Sequence, residues 1–118
     1  MDEKIKEALY QAYTGEAKAA LRLKLYAKKA EEEGYTQVAK LFRVIALSEE
    51  IHGQRALRLL REVRNTEENL QASFESETKV AGVAYDGFIK LANEAGEPNI
   101  ANVFSQANEV ASKNCARH

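Results

Sequence analysis

Two residues that can bind metal, Glu49 and His52, stand three positions apart in the segment SEEIHGQR. An i, i+3 spacing places both side chains on one face of a helix. A carboxylate and an imidazole that project together from the inward face of a helix are ligands that iron and manganese accept, and zinc accepts the same donors. The same spacing also arises on solvated helices that bind nothing. The pair is therefore a candidate metal site that depends on other carboxylates nearby.

Two further carboxylates, Glu16 and Glu77, fall at core-facing positions of two other predicted helices. Burying a carboxylate is costly unless it is paired with a cation or bound to a metal ion. We therefore predict that Glu16, Glu49, His52 and Glu77 converge on a metal ion. The alternative is an ordinary core histidine, with the carboxylates held in salt bridges.

The composition predicts one soluble domain with a single core, because 45% of the 118 residues are hydrophobic and 30% are charged. The net charge of −1 comes without a basic stripe or a polybasic tail, which argues against a nucleic-acid or membrane-surface role. The charged N-terminus MDEKIKEALY has no apolar core typical of a signal peptide, so we expect a cytoplasmic protein without a membrane span. A single cysteine, Cys115, excludes an internal disulfide and any four-cysteine metal site.

Abundant Ala, Leu, Glu and Lys and a single proline predict helices along nearly the whole chain. Gly34 ends the first helix, the NTEE segment with Thr66 as its N-cap precedes the third, and Pro98 starts the fourth. The predicted helices cover about residues 2–33, 36–63, 67–95 and 98 onwards. Four helices of roughly 20–30 residues predict an all-α four-helix bundle.

The sequence contains an internal repeat, in which residues 34–52 align without a gap on residues 96–114. The matched identities are Gly34 with Gly96, Ala39 with Ala101, and Phe42 with Phe104. The repeat predicts two related helical hairpins, one at about residues 1–64 and one at about residues 67–118.

The second hairpin lacks the ligand pair of the first, because Ala111 stands at the position of Glu49 and Asn114 at that of His52. An alternative alignment shifts the fourth helix by two residues and brings Glu109 into the ligand position. This shift gives up the aromatic match between the second and fourth helices, and it rotates the fourth helix by about 200°.

Three segments resemble the ferritin-like domain of the rubrerythrin family: AYTGEAKAALRLKLYAKKAEEEGYTQVAKLFRVIALSEEIHGQR, ENLQASFESE and AYDGFIKLANEAG. The resemblance covers nearly the whole chain and implies a ferritin-like four-helix bundle around two irons. In that family, helices 1 and 3 each provide a carboxylate and helices 2 and 4 each provide a Glu-x-x-His pair. Such sites react with hydrogen peroxide or oxygen, and many members are peroxidases that receive electrons from a rubredoxin.

Carried over to this chain, the resemblance implies Glu16 as the helix 1 ligand, Glu49 and His52 as the helix 2 pair, and Glu77 as the helix 3 ligand. Tyr85 matches a family tyrosine that lies beside the ligands. The chain departs from the family in the fourth helix and at two further positions, where Val80 replaces a second helix 3 glutamate and Leu23 replaces an aromatic residue.

The four matched residues offer three negative charges against the four positive charges of two iron(II) ions. We therefore expect a mononuclear or weakly bound dinuclear iron site, with manganese or zinc as other metals that suit it. The predicted function is a rubrerythrin-like oxidoreductase with reduced or altered activity towards peroxide or oxygen. The alternative is a non-catalytic bundle that serves assembly or partner binding.

The short linker between the hairpins predicts a dimer. The family runs helices 2 and 3 parallel, which requires the linker to span about 35 Å at 1.5 Å per helical residue. The linker at residues 65–68, taken as four to five extended residues, reaches at most about 18 Å. Either the bundle runs simply up and down, or two chains exchange hairpins in a domain-swapped dimer whose sites take Glu77 from the partner chain. We predict the exchanged homodimer, with an external electron donor such as a rubredoxin as a second partner.

Overall fold

The computed structural model describes residues 1–79 and 84–117, and side chains within residues 1–76 and 84–113. Within these ranges the chain forms five helices and no strand: α1 (Glu3–Glu32), α2 (Thr36–Leu59), α3 (Thr66–Lys79), α4 (Tyr85–Glu94) and α5 (Pro98–Arg117). They belong to two compact units, Met1–Val63 and Arg64–His118. Among the described residues, no helix is both long enough and apolar enough to span a membrane.

A left-handed glycine closes α1 and turns the chain back into α2. Gly34 has φ +85°, a conformation that costs glycine little because it has no Cβ. Its N–H donates to the carbonyl of Glu31 at 3.0 Å, and the N–H of Tyr35 donates to the carbonyl of Ala30 at 2.8 Å. This hydrogen-bond pair is the Schellman motif, which satisfies carbonyls at the end of the helix. The predicted stop at Gly34 is confirmed.

The end of α2 lies four residues earlier than the predicted end at Val63, which was wrong. Arg61 takes the left-handed conformation, with φ +59°, and the N–H of Glu62 donates to the carbonyl of Leu57 at 3.1 Å. The same Schellman closure therefore forms here without a glycine to mark it in the sequence. The hydroxyl of Tyr10 donates a hydrogen bond to Glu62 and so ties this turn to α1.

The seam between α1 and α2 is built from small residues: Ala20, Ala27, Ala30, Ala39, Ala46, Gly53 and Ala56 are buried. Small side chains allow the two helix axes to approach closely. Large apolar side chains on α2, including Leu41 and Leu59, are exposed. A two-helix layer buries only its seam, so an apolar stripe beside the seam stays at the surface of the unit.

In the second unit, α3 begins after an N-cap formed by Asn65 rather than by the predicted Thr66. The side-chain oxygen of Asn65 accepts from the N–H of Glu68 at 2.8 Å, and its side-chain amide donates to the Glu68 carboxylate at 2.6 Å. Asn69 reinforces this start, because its side chain accepts from the N–H of Arg64 and donates to the Arg64 carbonyl. Asparagine is as favourable an N-cap as serine, and the hydroxyl of Thr66 is one position too late for that role.

The predicted third helix corresponds to α3 and α4, and residues 80–83 between them lie outside the described part of the chain. Gly96, with φ +74°, closes α4 by the Schellman pattern found at Gly34. The rings of Phe88 and Phe104 lie 5.2 Å apart, centroid to centroid, and thereby repeat the 5.6 Å pairing of Tyr26 with Phe42 in the first unit. Ala92, Ala101 and Ala111 are the buried residues of this unit among those described. The sequence repeat is therefore also a repeat of local structure.

Candidate metal centre

The turn at Gly34 sets the level of the candidate ligands along the first hairpin. Glu16 lies 18 residues before Gly34 and His52 lies 18 residues after it, so both are about 27 Å from the turn at 1.5 Å per residue. Glu49 lies one helical turn from His52 on α2. An antiparallel hairpin with this spacing brings the carboxylate of α1 level with the Glu-x-x-His pair of α2.

The side chains of Glu16, Glu49 and His52 lie close together, as this spacing requires. One ligand atom from each of Glu16, Glu49 and His52 lies within 4.8 Å of the other two. His52 Nδ1 is 3.7 Å from Glu16 Oε1. Donor atoms that share one ion through bonds of about 2.0–2.2 Å lie at most about 4.4 Å apart. Small side-chain rotations are therefore enough to bring the three donors to a common ion.

The donor set fits a divalent transition metal. Glu16 Oε2 is buried and has no hydrogen-bond partner among the described residues. A buried carboxylate oxygen without a donor is unfavourable, and a bound cation would satisfy it. The carboxylates of Glu16 and Glu49 balance the charge of one divalent ion, and imidazole beside carboxylate is a donor combination suited to iron, manganese and zinc. The side chain of His52 is 52% exposed, which leaves room for exogenous ligands at that side.

Gly53 lies where the two helices approach closely, and the pattern of candidate ligands did not single it out. It is buried in the seam, and a Cβ built on it would lie 3.5 Å from Glu16 Cβ. Glycine inside a helix costs roughly 0.5–1 kcal/mol relative to alanine. An isolated glycine directly after a candidate ligand was the available signal, because such a glycine often has a packing reason.

Glu50 follows Glu49 in sequence but has a different partner. Its carboxylate forms an ion pair with the ammonium group of Lys24. A largely apolar groove of about 300 Å³ runs along this part of the hairpin, lined by Tyr13, Ala17, Ala20, Leu21, Lys24, Glu49, Glu50, Gly53, Gln54 and Leu57. Of the two neighbouring glutamates, only Glu49 contributes to the ligand cluster.

The remaining predicted site residues belong to the second unit. Glu77 is part of α3, and its side chain lies outside the described residues, as does that of Asn114. Tyr85 packs against Phe88 and Phe104, with ring centroids 6.0 and 6.4 Å away.

Glu109, the alternative ligand on the fourth predicted helix, is exposed on α5. It pairs with Lys113 at 3.3 Å. Ala111 is buried, so α5 turns Ala111 rather than Glu109 towards the interior of its unit. The ungapped alignment of the repeat fits this orientation better than the shifted one.

Comparison with known proteins identifies the family of the chain. The family model described as Rubrerythrin matches residues 7–110. The chain is 30% identical to the rubrerythrin of Porphyromonas gingivalis over 98% of this chain and 64% of the relative. It is 31% identical to reverse rubrerythrin-1 of Clostridium acetobutylicum over 100% of this chain and 64% of the relative. It is 29% identical to nigerythrin of Nitratidesulfovibrio vulgaris over 95% of this chain and 62% of the relative. The chain therefore spans less than two thirds of the length of these curated relatives.

The family match covers both helical units described above, apart from the first and last few residues. The helices of the described residues have the all-α character that the resemblance implied, and that prediction is confirmed. The chain belongs to the rubrerythrin family, with a ferritin-like all-α fold.

Proposed function

We propose that the chain is an iron-binding oxidoreductase of rubrerythrin type whose metal site is reduced to the ligands of its first hairpin. The observation that carries the proposal is the convergence of Glu16, Glu49 and His52, with donor atoms within 4.8 Å of one another. The orphaned Glu16 Oε2 supports it, because a cation would supply the missing partner. Manganese and zinc suit the same donors, so iron is proposed on the basis of the family.

Each ligand has a definite role in this proposal. The carboxylates of Glu16 and Glu49 neutralise a divalent ion, and His52 adds a nitrogen donor. The exposed side of His52 leaves coordination positions open to water or to a small oxidant. Iron bound there would supply one-electron redox chemistry with peroxide or oxygen. An external donor such as a rubredoxin would return the electrons.

The proposed site is incomplete compared with a full two-iron site. Ala111 occupies the position in the second hairpin that corresponds to Glu49, and a methyl group cannot ligate a metal. Peroxide reduction takes two electrons, which two adjacent irons deliver together and a single iron does not. We therefore expect slower peroxide turnover than a full site gives. Glu77 would add a fourth ligand if two chains exchanged hairpins, as the short linker predicts.

A non-catalytic assembly role is the second candidate. The observation in its favour is the set of large apolar side chains exposed on α2, among them Leu41 and Leu59. Exposed apolar stripes of this kind mark interaction surfaces. A protein that binds no metal yet associates through this stripe would fit the second candidate and contradict the first.

Anaerobic titration of the metal-free protein with iron(II) tests the proposal. We expect about one iron per chain, with affinity lowered on the order of 10–100-fold or more in Glu16→Gln, Glu49→Gln and His52→Ala. Glu50→Gln is the matched control, because Glu50 is adjacent in sequence but pairs with Lys24. Equal affinity in His52→Ala and the unsubstituted protein would contradict the proposal. Peroxide consumption with a supplied reductant then measures the activity.

A further inference from the structure

We infer that two copies of the chain pair first hairpin to first hairpin and hold a two-metal site between them. The inference rests on the proposed metal ligation by Glu16, Glu49 and His52. It adds that the partner chain supplies the other half of the site from the same three residues.

The donor inventory leads to this arrangement. A complete two-metal carboxylate site in a four-helix bundle takes one glutamate from each of two helices and a Glu-x-x-His pair from each of the other two. The first hairpin offers half of this set, with Glu16 on α1 and the pair Glu49 and His52 on α2. Two copies offer four carboxylates and two imidazoles. Their four negative charges balance two divalent ions.

The second hairpin does not provide the missing half. Ala111 is buried where the repeat would require a glutamate, and the sequence has Asn114 in place of the second histidine. Glu109 is exposed and pairs with Lys113. Glu77 is the one candidate donor of this hairpin, whereas half of the site needs three donors. The ligand-bearing hairpin that can complete the site is therefore the first hairpin of another copy.

The surface around the ligands suits such a contact. Val38, Leu41 and Ile45 recur at helical spacing on the side of α2 that carries His52, and they are 43%, 57% and 36% exposed. Leu59 continues the stripe and is 59% exposed. We call these four residues the α2 stripe. A second copy that packs on this stripe would cover the exposed apolar side chains and would also complete the set of metal ligands.

Two-fold symmetry makes the contact self-consistent. In an isologous dimer the same patch of each chain meets its own copy. An axis through the ligand cluster places the Glu16, Glu49 and His52 of one chain opposite those of the other. The exchanged-hairpin dimer covers the α2 stripe with the partner's second hairpin instead, so the two arrangements exclude each other. The donor count favours the pairing of first hairpins.

The test uses the full chain, with zinc(II) as a redox-inert probe, and measures molar mass by light scattering together with metal content. We expect a metal-loaded dimer that holds two zinc ions, with metal binding that steepens as protein concentration rises. Glu77→Gln should leave both the mass and the metal content unchanged. A dimer that loses metal on Glu77→Gln would overturn the inference in favour of exchanged hairpins.

A pair of neighbouring substitutions tests the surface. Ile45→Arg places a charge in the α2 stripe and should give monomers with zinc affinity lowered on the order of 10–100-fold. Val44→Arg is the matched control, since Val44 is 66% exposed and lies one position off the stripe. Circular dichroism verifies that both variants keep their helices; if Ile45→Arg unfolds, the Glu77→Gln comparison still decides.

The remaining outcomes separate this inference from the proposed function. A monomer that binds one zinc ion with the same affinity at all protein concentrations would overturn the paired site and leave metal ligation standing. Failure of the unsubstituted chain to bind zinc or iron at all would overturn both.

Discussion

Gly53 lies directly against Glu16 across the seam of the first hairpin, where a Cβ on Gly53 would stand 3.5 Å from Glu16 Cβ. This separation is an ordinary van der Waals contact, so a methyl group on Gly53 would pack against Glu16 without displacing it. The residue on α2 that lies beside the candidate ligand Glu16 is thus one whose size can change the position of that carboxylate.

Substitutions of Gly53 should show whether the size of this residue affects metal affinity through the position of Glu16. Gly53→Ala should retain metal affinity and add helix propensity, while Gly53→Leu should displace Glu16 and weaken metal binding on the order of 10–100-fold. Titration calorimetry with zinc(II) measures the affinities. Gly15→Leu is the control, because Gly15 neighbours Glu16 in sequence and a Cβ built on Gly15 meets nothing within 4 Å. Equal affinities in Gly53→Leu and Gly15→Leu would contradict the positioning role.

The start of α3 should depend on Asn65 rather than on Thr66. Asn65→Ala removes the acceptor for the N–H of Glu68 and should lower the free energy of unfolding by about 1 kcal/mol. Thr66→Ala should change it by less than about half that value, because alanine is a good helix former at the first helical position. Urea denaturation followed by circular dichroism measures both. A larger loss in Thr66→Ala would reassign the N-cap.

The hydrogen bond from Tyr10 to Glu62 should make stability depend on pH at the alkaline end. Because the phenol donates to the Glu62 carboxylate, the pKa of Tyr10 is raised above its ordinary value near 10. The bond therefore stabilises the fold at pH values below about 10 and is lost as the pH rises through the raised pKa. Tyr10→Phe should be less stable than the unsubstituted protein at pH 8, and the difference should vanish at higher pH. Urea denaturation across this pH range measures it, and a constant difference would show that the bond contributes nothing.

The alanine seam should not accept larger residues. Ala39 has no exposed surface, and Ala39→Leu should push α1 and α2 apart at a cost of about 1–3 kcal/mol in the free energy of unfolding. Ala12→Leu is the matched control on an exposed position of α1, where we expect a change within about 0.5 kcal/mol. Thermal or urea denaturation distinguishes the two. Similar stabilities would mean that the seam is looser than the burial of Ala39 indicates.

The sequence predicted those helix boundaries that are marked by a glycine or a proline. Gly34 and Gly96 stop helices because glycine takes the left-handed conformation at little cost, and Pro98 begins one because it needs no N–H partner there. Arg61 makes the same left-handed turn without any such mark, so the end of α2 was predicted four residues too late. Asn65 was overlooked because both it and Thr66 are good N-cap residues.

The part of the candidate site that depends on the spacing of residues along the helices was predictable from the sequence. Equal distances from Gly34 bring Glu16 and His52 to one level, and i, i+3 spacing adds Glu49. The contact between Gly53 and Glu16 was not predictable from spacing alone, because it depends on how closely the two helix axes approach each other. The exposure of Leu41 was not predictable either, because hydrophobic periodicity gives the direction of an apolar face and not what covers that face.

The α2 stripe is synthesised early. Residues 64–118 are still to be added when the first hairpin is complete, and at 5–20 residues per second these 55 residues take roughly 3–11 s. Ribosomes that follow one another along a single messenger RNA hold such half-made chains close together, which raises their effective concentration. Translation itself thus gives two first hairpins the opportunity to meet before either chain is finished.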